Sequence, residues 1–132
     1  MKYMLDTNVC IHVIKKKPES VIRRFMELDA GDICISSITY AELMHGVEKS
    51  SSRDQNLLAL MLLLSPITIL PFDGLAAETY GKVRANLENK GTPIGPMDML
   101  IASHALSQGL TLITNNTREF FRVEGLAVED WV

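Results

Sequence analysis

Short apolar runs that stop at a polar or acidic residue recur along this chain, separated by segments of helical spacing, and they restrict it to few architectures. The first is Tyr3-Met4-Leu5, apolar in succession like a strand buried on both faces of a parallel sheet, ending at Asp6-Thr7-Asn8. Ile33-Cys34-Ile35 runs into Ser36-Ser37, Ile67 to Leu70 follows Pro66, Leu110 to Thr114 runs into Asn115-Asn116, and a last strand lies near Leu126 to Val128. Between them the spacing predicts helices. A short one spans Val9 to Ile14, and a second starts near Ser20 with Val21, Ile22, Phe25 and Leu28 inward. A third opens at Thr39, and a fourth follows Ser50 to Ser52 with Leu57, Leu58, Met61 and Leu64 inward. A fifth runs from Gly74 to about Lys90 with Leu75, Ala76, Tyr80, Val83 and Leu87 inward. Met97-Asp98 opens another that continues through Ala105, and Thr117 to Phe120 forms a short last helix. This alternation predicts an α/β fold, three layers α/β/α with a central, mainly parallel sheet of four to five strands.

A chain of 132 residues with 47% hydrophobic content fits one domain spanning 1–132. It opens directly into a strand with no secretory leader, and its longest nearly apolar run, Leu57 to Leu64, is far short of the roughly 20 residues of a membrane span. A cytoplasmic protein without membrane attachment is expected. Cys10 and Cys34 lie in apolar surroundings without CxxC spacing and read as free core cysteines. Trp131 reads as a packing anchor. Thirteen Lys and Arg against sixteen Asp and Glu give a net charge of −3, so a phosphate-bearing partner must meet a local patch or a metal ion. Lys15-Lys16-Lys17 is either such a patch or a solvated helix end favoured by the dipole.

Three acids stand out by position. Asp6 falls at the carboxyl end of the first strand, where open α/β sheets form their binding crevice. Glu42 lies in the helix after the second strand, and Asp98 opens the helix after the stiff loop Gly91-Thr92-Pro93-Ile94-Gly95-Pro96. Each has a plain structural alternative: Asp6 as an N-cap, Glu42 in a capping box with Thr39, Asp98 as a first-turn acid favoured by the dipole. Taken together they converge on one sheet edge. Gathered carboxylates raise each other's pKa unless a cation neutralises them, and Mg²⁺ or Mn²⁺ takes such oxygen ligands while bridging to phosphate. Phosphodiester hydrolysis is the reaction this implies. The residues His12, His45 and His104 lack paired zinc-ligand spacing, nothing forms a P-loop or GxGxxG, and Asn8 stands where an aspartate phosphotransferase needs Asp-x-Asp.

The blocks LDTNVCI, SSITYAEL around Glu42, KGTPIGPMDMLIA around Asp98 and LITNNTREF resemble the four motif blocks of PIN-domain ribonucleases. More narrowly, they resemble the VapC toxins of bacterial toxin–antitoxin pairs, and KGTPIGP, TNNTREF and the terminal DWV resemble the enteric-type branch. The resemblance covers essentially the whole chain. It implies a PIN-like fold and Mg²⁺- or Mn²⁺-dependent endonucleolytic cleavage of RNA, with transfer RNA cut in the anticodon loop, the initiator tRNA included, and translation inhibited. It implies a homodimer that a VapB-type antitoxin neutralises in a larger hetero-oligomer, and operator DNA bound only through the antitoxin. Carried over by residue, Asp6, Glu42 and Asp98 fall on the family's catalytic acids, with Asp6 and Asp98 as metal ligands. The fourth acid of many PIN domains is replaced by Asn116, with Glu119 the nearest carboxylate able to reach back if Thr117 begins a helix. Thr7, Asn8, Ser37 and Thr114 are hydrogen-bonding groups that either orient ligands or substrate or, equally, cap the local backbone, and the amide of Asn116 can orient a neighbouring carboxylate. The rival from another class is a catalytically silent PIN-fold module that binds RNA or protein.

Overall fold

A computed structural model describes residues 1–132. The chain runs β1 (Tyr3–Leu5), α1 (Thr7–Lys15), α2 (Glu19–Glu27), a 3₁₀ turn (Ala30–Asp32), β2 (Ile33–Ser36), α3 (Ser37–Lys49) and α4 (Arg53–Leu64). It continues with β3 (Thr68–Leu70), α5 (Gly74–Asn89), α6 (Pro96–Ser107), β4 (Thr111–Ile113), α7 (Thr117–Phe120) and β5 (Val128–Glu129). The sheet order is β3-β2-β1-β4-β5 and every neighbouring pair is parallel, with Met4 opposite Cys34 on one side and Leu112 on the other.

The chain therefore winds outward from β1 to β2 and β3, then returns across β1 to lay down β4 and β5. The direction reverses between β1 and β4, which places the crevice of an open parallel sheet beyond the carboxyl ends of those two strands. Strand residues alternate between two cores, as the pleat requires. Leu5, Ile33, Ile35 and Ile113 pack with Val9, Val21, Leu43, Val47 and Leu60 from α1 to α4. Met4, Cys34 and Leu112 pack with Val83, Leu87, Ile101 and Phe120 from α5 to α7.

Local chemistry sets the helix ends. Asp6, Ser36 and Asp73 cap α1, α3 and α5 by accepting from Val9, Ile38 and Ala76 N–H at 2.9, 3.1 and 3.0 Å. Pro96 takes the first position of α6, where a missing N–H costs nothing. After α5, Gly91 adopts φ 67° and lets Thr92 N–H reach the Leu87 carbonyl at 3.0 Å, which closes the helix and aims the next loop.

Several expectations change. The third helix opens at Ser37, capped by Ser36, two residues before Thr39. In α4, Leu58 is 62% exposed and Met61 is exposed, while Leu64 is buried as expected together with Leu60 and Leu63. Leu75 of α5 is likewise exposed. The last strand is Val128–Glu129, displaced from Leu126. Leu and Met occupy every face of α4, so spacing alone does not phase it. Cys10 and Cys34 are buried and free, and Trp131 packs edge-on against Tyr3, as read from the sequence. No helix is long and apolar enough to cross a membrane.

The phase of α4 is checked by urea unfolding. Leu60→Ala should cost about 2–5 kcal/mol because it empties a fully packed position, whereas Leu58→Ala should stay within about 0.5 kcal/mol.

Candidate active site

Asp6 follows β1 directly, and its N–H donates to the Ile113 carbonyl at 3.0 Å, so it sits where the sheet reverses. Its side chain is buried and accepts from Val9 N–H at 2.9 Å. Burial raises its pKa; the Thr114 hydroxyl, the Val9 N–H and His12 pull it back, and the charge of Glu42 pushes it up. Thr114, the residue after β4, also accepts from Asn116 N–H at 3.0 Å.

Glu42 comes from the opposite bank. Because α3 starts at Ser37, Glu42 lies in the second turn and forms no capping box with Thr39. Its Oε1 accepts from the Thr7 hydroxyl at 2.6 Å, while the Thr39 hydroxyl lies 3.4 Å from the same Thr7 oxygen. Thr7 thus ties the start of α1 to α3, and the second oxygen of Glu42 is left without a hydrogen bond.

Asp98 and Glu119 arrive from the α5–α7 layer. Asp98 occupies the first turn of α6, and its pKa is raised to about 6. The causes are burial, then the negative charges of Glu119, Asp6 and Glu42, and a hydrogen bond with Glu119 that requires a proton. Glu119 reaches back from the single turn of α7. Its Oε1 accepts from Gly95 N–H at 2.7 Å and its Oε2 accepts from the Asn116 amide. Gly95 is where the loop comes closest: a methyl group there would lie 3.3 Å from Asp98 Oδ2 and 3.7 Å from Glu119 Oε1.

Two residues expected to orient ligands or substrate make no hydrogen bond to the acids. Asn8 is exposed and outside the side-chain hydrogen bonds of the site. The hydroxyl of Ser37 accepts from Phe72 N–H at 3.0 Å and ties α3 to the chain leaving β3. Thr39 and the Gly95 N–H were not legible as site groups, although a glycine just before a helix-opening proline was a signal of close approach. Also unforeseen is the buried pair of His104 Nδ1 and Ser36 Oγ, 2.7 Å apart, which joins α6 to the cap of α3.

None of the chain's eight ion pairs involves Asp6, Glu42, Asp98 or Glu119, so no lysine or arginine of the chain neutralises them. No three His, Cys, Asp or Glu side chains form a ready-made cage for an ion. That combination fits a hard divalent cation. Mg²⁺ accepts one or two carboxylates, retains its waters and completes its shell with substrate phosphate, whereas a tight all-protein cage is the habit of other metals. Asp6 and Asp98, at the reversal point and engaged by no lysine or arginine, are carboxylates suited to hold such an ion.

Fold and site together define a parallel α/β protein with a carboxylate cluster at its topological switch point, the arrangement of a hydrolase that acts on phosphate esters. The PIN domain family model matches residues 3–126. The tRNA(fMet)-specific endonuclease VapC of Shigella flexneri is 51% identical over 131 residues, covering 99% of this chain and 98% of that one. Two solved structures align with a TM-score of 0.94: DNA-bound VapBC from Salmonella typhimurium, 48% identical over 100% of this chain and 99% of that one, and VapBC2 from Rickettsia felis bound to a promoter DNA fragment, 43% identical over the whole of both chains. The chain belongs to the PIN-domain family, within its VapC ribonucleases.

The raised Asp98 pKa makes a signed prediction. An unfolded aspartate titrates near 3.9, so between about pH 4 and pH 6 the native state binds more protons, and stability falls as pH rises through the folded value. In EDTA the melting temperature should drop by a few degrees from pH 4.5 to pH 7, and Asp98→Asn should flatten that limb. Glu119→Gln keeps an acceptor for Gly95 N–H and removes a charge; the Asp98 carboxyl, followed by NMR, should then titrate lower. An unmoved titration would remove Glu119 from the cluster.

Proposed function

We propose that this chain is the toxin of a toxin–antitoxin pair, a Mg²⁺- or Mn²⁺-dependent endoribonuclease that cuts tRNA in the anticodon loop and thereby stops translation. The observation that carries the reading is the set of four carboxylates at the switch point with no lysine or arginine among them. A cluster that raises its own pKa values is retained at a stability cost, and positive charge from outside relieves it. The Shigella relative's tRNA(fMet) specificity makes initiator tRNA the substrate to test first. Single-stranded loops are also the part of a tRNA whose backbone a shallow crevice can reach.

Asp6 and Asp98 are the residues to hold the ion, fixed by the Val9 N–H and by the first turn of α6. When bound, the ion supplies positive charge that draws the scissile phosphate in and favours attack by water. Glu42, held through one oxygen by Thr7, offers the other to take a proton from that water as its oxygen bonds to phosphorus and the ester P–O bond breaks, the leaving ribose oxygen taking its proton from solvent. Glu119 holds Gly95 and the loop before α6, and so sets where Asp98 stands. Asn116 and Thr114 brace Glu119 and Asp6.

The VapBC structures pair relatives with an antitoxin, and two of them include DNA. By that likeness a VapB-type antitoxin is the partner, the toxin assembles as a homodimer within the hetero-oligomer, and operator DNA is met through the antitoxin. The cytoplasm, where tRNA and operator are found, is the site of action. An arginine from the partner would satisfy the same carboxylates bidentately and inhibit without a metal.

The test uses purified chain freed of partner. Asp6→Asn and Asp98→Asn should fold, melt no lower than wild type in EDTA, and lose cleavage of initiator tRNA by at least about a hundredfold, the scale of losing one key electrostatic group. Near-wild-type turnover by either variant at saturating Mg²⁺ would falsify the assignment.

A further inference from the structure

The acidic crevice poses a problem for its own substrate. RNA approaches as a polyanion, the chain carries a net charge of −3, and four carboxylates line the place where the phosphate must sit. A bound ion offsets the charge at one phosphate only. The neighbouring phosphates need cationic surface beside the crevice.

The end of α1 supplies it. Lys15, Lys16 and Lys17 are exposed in succession. The arginines at 23, 24, 53 and 84 and Lys90 are all engaged by acids, but these three lysines are in no ion pair. Lys16 adopts φ 57° and closes the helix with its N–H on the His12 and Val13 carbonyls, so the three side chains fan around a helix terminus and do not share one face. An unpaired cation there is favoured by the helix dipole, yet the dipole alone does not account for three.

Two contacts keep this end beside the site. His12, one turn before Lys16, meets Asn115 across the crevice, Nε2 to Nδ2 at 3.3 Å, and Asn115 directly follows Thr114, which faces Asp6. Lys15 and Glu42 line the same groove between α1 and α3. A nine-residue helix spans about 14 Å, so the lysines stand a few nucleotides of backbone away from Asp6. Arg118 and Arg122 at α7 are two further exposed cations without an acid partner, whereas the end of α1 presents three in succession.

Resting on the ribonuclease reading above, we propose that α1 is the substrate track: His12 with Asn115 contacts the RNA backbone at the crevice mouth, and Lys15, Lys16 and Lys17 bind the phosphates that lead away from the cut. The contacts are to phosphate and carry no base specificity. The lysine contacts act on binding and leave the chemical step unchanged.

The experiment compares wild type, Lys15→Gln/Lys16→Gln/Lys17→Gln, His12→Ala, and a charge-matched control, Lys2→Gln/Lys49→Gln/Lys82→Gln, all shown to melt like wild type. Cleavage of an anticodon stem-loop RNA is followed from 50 to 300 mM KCl, and binding of the same RNA is measured separately by anisotropy in EDTA. The α1 triple variant should raise KM at least tenfold with kcat unchanged. It should also reduce the slope of log Kd against log salt by about 2, at roughly 0.7 for each phosphate of single-stranded RNA that is no longer neutralised. His12→Ala should raise KM about threefold, and the control should stay within twofold. Equal losses in the α1 variant and the control overturn the track, as does an unchanged KM in the α1 variant. If that variant loses affinity for the antitoxin while its RNA KM holds, the lysines are a protein-docking surface and the proposal fails. A wild type that binds RNA through these lysines but never cuts it would leave the track standing and sink the ribonuclease reading; one that binds no RNA sinks both.

Discussion

Mutual repulsion among four carboxylates is the constraint on which the site depends. Asp6, Glu42, Asp98 and Glu119 are close enough for each of the other three to raise the Asp98 pKa, and no lysine or arginine stands among them. The chain tolerates this by giving each acid a source of positive polarity of its own. Asp6 has the N–H groups at the start of α1, Glu42 the Thr7 hydroxyl, Glu119 the Gly95 N–H and the Asn116 amide, and Asp98 the first turn of α6. These are dipoles and not charges. They lower the cost of gathering the acids without cancelling the field that attracts a cation.

The topology delivers the acids to one place. Because the strand order reverses between β1 and β4, helices from both layers meet at the carboxyl ends of these strands, and each layer contributes what the other lacks. Asp6 hangs from the seam, Glu42 belongs to the α1–α4 side, and Asp98 with Glu119 belongs to the α5–α7 side. The His104–Ser36 hydrogen bond joins α6 to the cap of α3, so the two banks are tied beneath the acids as well as facing across them. Strands of two to four residues suffice for this. Their role is to hold the seam, and the two cores packed on either face supply the stability.

Asp6 and Asp98 were legible in the sequence because local signals mark them: one ends an apolar run, the other follows a proline-fixed loop. Glu42 was legible as an acid near that edge but was assigned to the wrong turn. Ser36, Ser37 and Thr39 can each cap a helix, and only the burial of Ser36 against His104, from a segment 68 residues away, selects the first of them. The same limit explains α4. Its apolar residues cover all faces, and which of them meet the sheet is decided by the position of α1 and α3, information that its own spacing does not contain. The residues themselves grouped Asp6, Glu42 and Asp98 at one sheet edge; the family resemblance drew attention to Asn116 and so to Glu119.

Asn116 shows how a departure from the common pattern is accommodated. An aspartate at that position would face Glu119 directly, a like charge added to a cluster that already raises the Asp98 pKa to about 6. With an amide there, the contact becomes a donated hydrogen bond, and it turns the Glu119 side chain back over the Gly95 N–H. The carboxylate is thus presented from three residues further on, at the end of a longer side chain, and the site keeps its negative charge at that corner without a fifth acid. The arrangement also uses Gly95, since a β-carbon there would lie 3.3 Å from Asp98 Oδ2 and push that oxygen aside. One glycine, one amide and one displaced glutamate therefore form a single unit, and none of the three has its full physical reason without the other two.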